Sequence, residues 1–261
     1  MTFAQVLATE FLKLHRGKVT WFSLAALSLG PLAIALMMWI VREPGRAAKL
    51  GLLGTKANLS GLSATWPAYF SMLTMVVGMG GMLLLAFIVA YVFGREYTEG
   101  TAKNLLALPV GRHWFALAKL VVAAAWWAVL VVAVLAEGFV LGAALALPDF
   151  SATAAATAVH DALLAAAIAF LLVPIVAWIA MLGRGYLPPL GFALAMLVLG
   201  DVFSHTGWAA WFPWSIVPLL IGAIGKPATT TAPGSLVVVG LTFFVGIAAV
   251  IAQLRWADNA Q

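Results

Sequence analysis

The residues of this chain that can do chemistry are few and widely spaced. In the polar stretch 94–120, Glu99 precedes Lys103 by four residues, the favourable order for a charge pair along a helix. A 3.6-residue period puts Glu96, Glu99, Gly100, Lys103 and Ala107 on one side and Ala102, Leu105, Leu106 and Pro109 on another. Such a face can recognise a polar surface without covalent chemistry. His160-Asp161 reads as a polar pair at a helix start rather than a metal site, and Asp201 and His205 stand one helical turn apart. Glu137 is a lone carboxylate inside an apolar run, flanked by Ala136 and Gly138. No H-E-x-x-H pattern occurs, and there is no G-x-x-x-x-G-K-[ST] phosphate loop: Gly17-Lys18 and Gly225-Lys226 lack the upstream glycine and the following hydroxyl residue. These absences predict no catalytic residue, no metal and no cofactor held by this chain.

The elements that carry these residues are membrane helices. Of 261 residues, 64% are hydrophobic and only 9% charged, with mean hydropathy +1.08. A soluble domain carries about 25% charged residues. The apolar runs are too long and too unalternating for barrel strands. The fold class is therefore all-α and polytopic. Spans are expected at 19–41, 69–93, 114–147, 160–182, 187–203 and 235–254. Pro31 and Pro174 are kinks, and Gly78, Gly80 and Gly81 are a close-packing run. Gly138 and Gly142 form a G-x-x-x-G packing face, and Trp126-Trp127 reads as packing. Residues 1–18 hold a polar stripe (Thr2, Gln5, Thr9, Lys13, Arg16) opposite Phe3, Val6, Leu7, Phe11 and Leu14. They read either as an interfacial helix or as a solvated lead-in. The segment 207–225, with Pro213, Pro218 and three tryptophans, is expected to be a broken or re-entrant element rather than a seventh span.

Net charge +5 would suit a nucleic-acid binder only in a soluble protein; here the cations flank spans, so no nucleic acid is implied. Six spans place Lys13, Arg16, Lys18, Arg95, Lys103, Arg112, Lys119, Arg184 and Arg255 on one side, and Arg42, Arg46, Lys49, Lys56 and Lys226 on the other. The positive-inside bias then puts both termini and the 94–120 stretch in the cytoplasm. Within that stretch Thr98 is expected to cap a helix over about 98–109 that stops before Pro109, a bar of roughly 16 Å. Glu137 allows two readings, a hydrated path or a helix long enough to carry it beyond the bilayer.

Gly94-Arg95-Glu96, Glu99-Gly100-Thr101, Lys103-Asn104-Leu105-Leu106 and Leu108-Pro109 resemble the cytoplasmic loop of type-2 ABC exporter permeases, most nearly the bacitracin-resistance and lantibiotic-immunity branch. Phe212-Pro213-Trp214 before the last span fits the same pattern, so the resemblance covers nearly the whole chain. It implies an elbow helix at 1–18, one six-span domain at 19–255 and a cytoplasmic tail at 256–261. Residues 98–109 would be the coupling helix and 207–225 the re-entrant segment. Arg95, Glu96, Glu99, Gly100, Thr101, Lys103, Asn104, Leu105, Leu106 and Pro109 would contact an ATP-binding subunit, which would hold ATP and Mg. The permease would pair with a second copy or a homologue in the bacterial inner membrane and export a peptide antibiotic, lipid or drug. Glu137 and Asp201 are candidate path residues. Gly111 departs from the serine expected in that turn. Two rivals stand beside this reading: an ion- or proton-coupled secondary transporter, and a non-transporting membrane sensor or assembly factor.

Overall fold

The computed structural model describes residues 2–51, 63–101, 111–222 and 233–256. Regular structure among them is helical throughout. The first helix, α1 (Phe3–Arg16), opens at Thr2, whose backbone N–H donates to Gln5 Oε1 at 2.9 Å. The extended backbone of Gly17 separates it from α2 (Lys18–Arg42). A short α3 (Pro44–Lys49) follows, then α4 (Trp66–Met75), one π-helical stretch (Val76–Gly80) and α5 (Gly81–Thr98). Beyond the connection lie α6 (Arg112–Ala144), α7 (Ala152–Leu171), α8 (Val173–Leu182), α9 (Leu187–Ser204), α10 (Ile216–Leu220) and α11 (Pro233–Trp256).

Six helical stretches among the described residues are long and apolar enough to cross a membrane. They are Lys18–Arg42, Trp66–Thr98, Arg112–Ala144, Ala152–Leu182, Leu187–Ser204 and Gly234–Arg255. Successive stretches run in opposite directions. The starts of α2, α6 and α9 therefore gather with the ends of α5, α8 and α11 at the end where α1 lies, the α1 end. There the Arg112 guanidinium donates to the Leu254 carbonyl at 2.9 Å. At the opposite end the Arg42 guanidinium donates to the Leu145 carbonyl.

The second crossing is the axle of the bundle, with Tyr69, Leu73, Leu85, Ile88 and Val89 all at or below 2% exposure. Its neighbours approach through glycines. A side chain at Gly81 would reach within 2.4 Å of the Trp127 ring, which is buried and donates Nε1–H to the Ala166 carbonyl at 3.0 Å. The expected G-x-x-x-G face is used: Gly138 receives Leu73 and Gly142 receives Trp66. In the run 78–81 only part is used, since nothing lies within 4 Å of a side chain built on Gly80.

The boundaries differ from expectation where polarity and backbone structure part company. The second crossing extends past Phe93 to Thr98, because Glu96 is neutralised by partners from other helices and the helix has no reason to stop. The stretch from 149 to 157, expected as a connection, is helical from Ala152: alanine favours helix, and Ser151 Oγ accepts from the Ala154 N–H at 3.4 Å. Pro174 cannot donate to the preceding turn, and α7 gives way to α8 at Leu172. Over 207–222 the chain forms two 3-10 turns, Ala209–Trp211 and Pro213–Ser215, and then α10. Ser215 Oγ donates to the Phe212 carbonyl at 2.7 Å, while Ile221 Cδ1 lies 3.0 Å from a side chain built on Gly78.

Gly81→Leu should lower the stability of the detergent-solubilised protein by about 1–3 kcal/mol through overpacking against Trp127. Gly80→Ala should leave the melting temperature unchanged or raise it. A thermal-shift comparison of the two proteins checks both.

Candidate functional site

The connection between α5 and α6 is held at its root by four charged side chains from three helices. Glu10 shares the buried stripe of α1 with Val6 and Leu14, spaced four apart so that all three face the bundle. Glu96 lies two residues before the end of α5, and Lys119 lies in the third turn of α6. Lys119 Nζ donates to Glu96 Oε1 at 2.7 Å, to the Val92 carbonyl at 2.7 Å and to Glu10 Oε2 at 3.0 Å. All three ammonium protons are therefore used. Lys13 Nζ reaches Glu10 Oε1 at 2.6 Å and Glu96 Oε1 at 3.2 Å, closing the ring. Glu10, Glu96 and Lys119 are each at most 5% exposed.

The electrostatics on α1 follow from this closure. Burial alone would raise the Glu10 pKa, but Lys119 and Lys13 outweigh it and hold the carboxyl below its ordinary value. Burial would likewise lower the Lys13 pKa, and Glu10 with Glu96 raises it instead. Two carboxylates and two ammoniums leave the cluster with no net charge. Beneath it, Val6 packs with Phe115 and Ala118, and Phe3 stacks obliquely on Trp114 at 4.9 Å. The face of α1 that packs on the bundle thus contains a buried carboxylate, and Lys13, read as part of the polar stripe, belongs to the ring. Phe11 and Leu12 are the large apolar residues that α1 leaves exposed, at 41% and 48%.

The residues expected to form a coupling surface separate into three groups. Glu96 is turned inward, which corrects its placement on an outward polar face: its carboxylate is already matched within the chain. Thr98 does not cap a new helix; it is the last residue of α5, and its Oγ1 donates back to the Gly94 carbonyl at 3.1 Å. Glu99, Gly100 and Thr101 are exposed and leave the bundle. Gly100 has φ +69, a conformation that favours glycine, and Thr101 N–H returns to the Glu96 carbonyl at 2.8 Å. Arg95 bridges inward and outward, donating to the Lys13 carbonyl and to Glu99 Oε2, both at 3.5 Å. Lys103, Asn104, Leu105, Leu106 and Pro109 lie outside the described residues. Gly111 begins α6, and the His113 ring would come within 2.6 Å of a side chain there, so serine at 111 would displace His113.

A groove of about 740 Å³ opens between α2, the α4–α5 crossing and α9. Phe22, Gly30, Met75, Met79, Phe87 and Leu194 are among its walls, and among the described residues no wall residue carries a charge. Glu137 and Asp201 do not line it. Glu137 is half-buried on α6 next to Gly138, and Asp201 is half-buried near the end of α9. Nearby, the Tyr69 hydroxyl is buried with no hydrogen-bond partner among the described residues. His160 Nδ1 and Asp161 Oδ1 stand 3.1 Å apart in the middle of α7 rather than at a helix start, because that helix already begins at Ala152. No group of three or more metal-ligating side chains occurs among the described residues.

Sequence reasoning missed Glu10 and gave Lys119 no role beyond its charge. The available signal was a solitary charge on each of two otherwise apolar helix faces.

Residues 6–200, from inside α1 to inside α9, match the family described as ABC-2 family transporter protein. The chain is also similar to the bacitracin transport permease protein BCRB of Bacillus licheniformis, 27% identical over 178 residues, which is 68% of this chain and 85% of that protein. The family match takes in the charge ring, the groove walls and five of the six crossings, and the chain belongs to the ABC-2 family of transporter proteins.

Proposed function

We propose that this chain is the membrane subunit of an ATP-driven exporter. It pairs with a second copy or a homologue, and separate ATP-binding subunits, holding ATP and Mg, dock on the connection between α5 and α6. The observation that carries the transport reading is the family match over residues 6–200. The coupling reading rests on the charge ring. Force applied at 99–111 meets Glu96 three residues before the connection and Lys119 eight residues after it. Glu96 is bound to Lys13 of α1, Lys119 to Glu10 of α1, and the two to each other. The two stalks and α1 then move as one block rather than letting the connection flex alone. Glu99, Gly100 and Thr101 belong to the docking surface, with Lys103, Asn104, Leu105, Leu106 and Pro109 continuing it. Glu96 acts one layer in, as a positioning residue.

The α1 end faces the cytoplasm in this reading. Among the described residues it carries Lys13, Arg16, Lys18, Arg95, Arg112, Lys119, Arg184 and Arg255, against Arg42, Arg46 and Lys49 at the other end. Helix α1 is the elbow helix, and the described residues 207–222 re-enter from the outer side. The uncharged groove supports an apolar cargo, such as a lipid, a drug-like molecule or the apolar face of a peptide antibiotic, on a path shared with the second permease chain. It gives an ion-coupled mechanism nothing to bind with.

Glu99→Lys should leave membrane insertion intact and weaken association with the ATP-binding subunit roughly tenfold. Equal co-purification from membranes would remove Glu99 from the docking surface, and failure of wild type to recover any ATPase would overturn the reading. Lys119→Met strands two buried carboxylates on Lys13, a loss of about 3–5 kcal/mol at the α1 contact. That variant should still bind the ATPase yet lose export, with α1 becoming protease-sensitive.

The ring also sets a pH window. Glu10, with its folded pKa lowered, contributes fully above 4.5, and the contribution disappears as pH falls through the lowered value. Lys13, with its folded pKa raised, contributes fully below 10.5 and loses its share as pH rises through the raised value. A spin label at exposed Ala8 should therefore keep constant mobility between pH 4.5 and 10.5. Release near neutral pH would contradict this account.

A further inference from the structure

We propose that the cleft where α6 begins and α11 ends is a binding site for the phosphate of an anionic phospholipid headgroup. Arg112, His113 and Arg255, with Ile251 and Leu254, enclose about 330 Å³ there. Three nitrogen-bearing side chains converge on a small space, and no carboxylate among the described residues pairs with any of them. Arg112 uses one N–H on the Leu254 carbonyl at 2.9 Å. This anchors the guanidinium to a second residue of the cleft and leaves its other donors for an anion. His113 presents an N–H in either tautomer, and the first turn of α6 adds its dipole.

Three features favour a lipid as the source of that phosphate. The cleft lies at the ends of two membrane-crossing helices, the depth at which headgroups sit. One wall is apolar, Ile251 and Leu254, suited to the glycerol and upper acyl carbons. Trp114, 38% exposed, follows His113 in the first turn of α6, and tryptophan at a span end is typical of the headgroup level. This site concerns α6 and α11 alone and does not depend on the coupling mechanism or on which side the α1 end faces.

The test uses the full chain in nanodiscs of phosphatidylcholine with a minor fraction of phosphatidylglycerol. Native mass spectrometry counts retained lipids, and a spin-labelled phosphatidylglycerol measures relative association. Wild type should retain phosphatidylglycerol over phosphatidylcholine, and Arg255→Gln should cut that preference by roughly fivefold. Arg112→Gln with Arg255→Gln should nearly abolish it. Arg255 makes no hydrogen bond or ion pair among the described residues, so its single variant keeps the test valid if the double variant folds poorly. Arg46→Gln, at the opposite end, should leave the preference unchanged. Equal retention of both lipids by wild type would overturn the proposal. So would an undiminished preference in Arg255→Gln, or displacement of the lipid by inorganic phosphate alone, which would mark a site for the free anion.

Discussion

Everything at the α1 end depends on Lys119 having three acceptors. An ammonium at the root of an apolar helix is tolerated only when its protons are all engaged, and here two carboxylates and a carbonyl engage them at 2.7 to 3.0 Å. The arrangement ties residues that are 109 and 23 positions apart along the chain. Remove one member and the others become buried charges without compensation. The ring is therefore a condition that α1, α5 and α6 satisfy together or not at all. Such a contact specifies one arrangement more strongly than apolar packing, which tolerates small slips.

Away from that end the bundle is organised by shape. Lipid tails are as apolar as leucine, so crossings associate through close fit rather than hydrophobic exclusion. The fit is made by glycines receiving large neighbours: Gly30 receives Val76, Gly81 receives Trp127, Gly138 receives Leu73 and Gly142 receives Trp66. At Gly200 the partner is the Trp214 backbone, and at Gly246 it is the Pro174 ring carbon Cβ with the backbone of Pro174 and Ile175, so a side chain there has nothing soft to displace. The groove beside Gly80 is where this fit is left open, and it coincides with the π-helical stretch. A π-helical turn is a common companion of functional sites.

The two regions divide the labour expected of a transporter. The α1 end is polar, tied together and continuous with the connection that leaves the bundle at Glu99. The middle is apolar, contains the π-helical turn and borders the groove. Residues 207–222 close the far end with short helices; Ser215 bonds locally to the Phe212 carbonyl, and Ser235 of α11 donates to the Ala210 carbonyl and ties the segment to the last crossing.

Length and apolarity alone determined the six crossings, since a run of about twenty apolar residues has few other solutions. The G-x-x-x-G face was legible for a similar reason: spacing of four lies on one helix face whatever packs there. The root of the α5–α6 connection was not legible. Hydropathy falls at Gly94, but the helix continues to Thr98 because Glu96 meets Lys13 and Lys119, partners that a local window does not contain. For the same reason nothing local to α1 singled out Glu10, whose partner Lys119 is 109 residues away. A sequence reports what each segment would bury; which charge neutralises which depends on distances across the fold, and only the tertiary structure sets those.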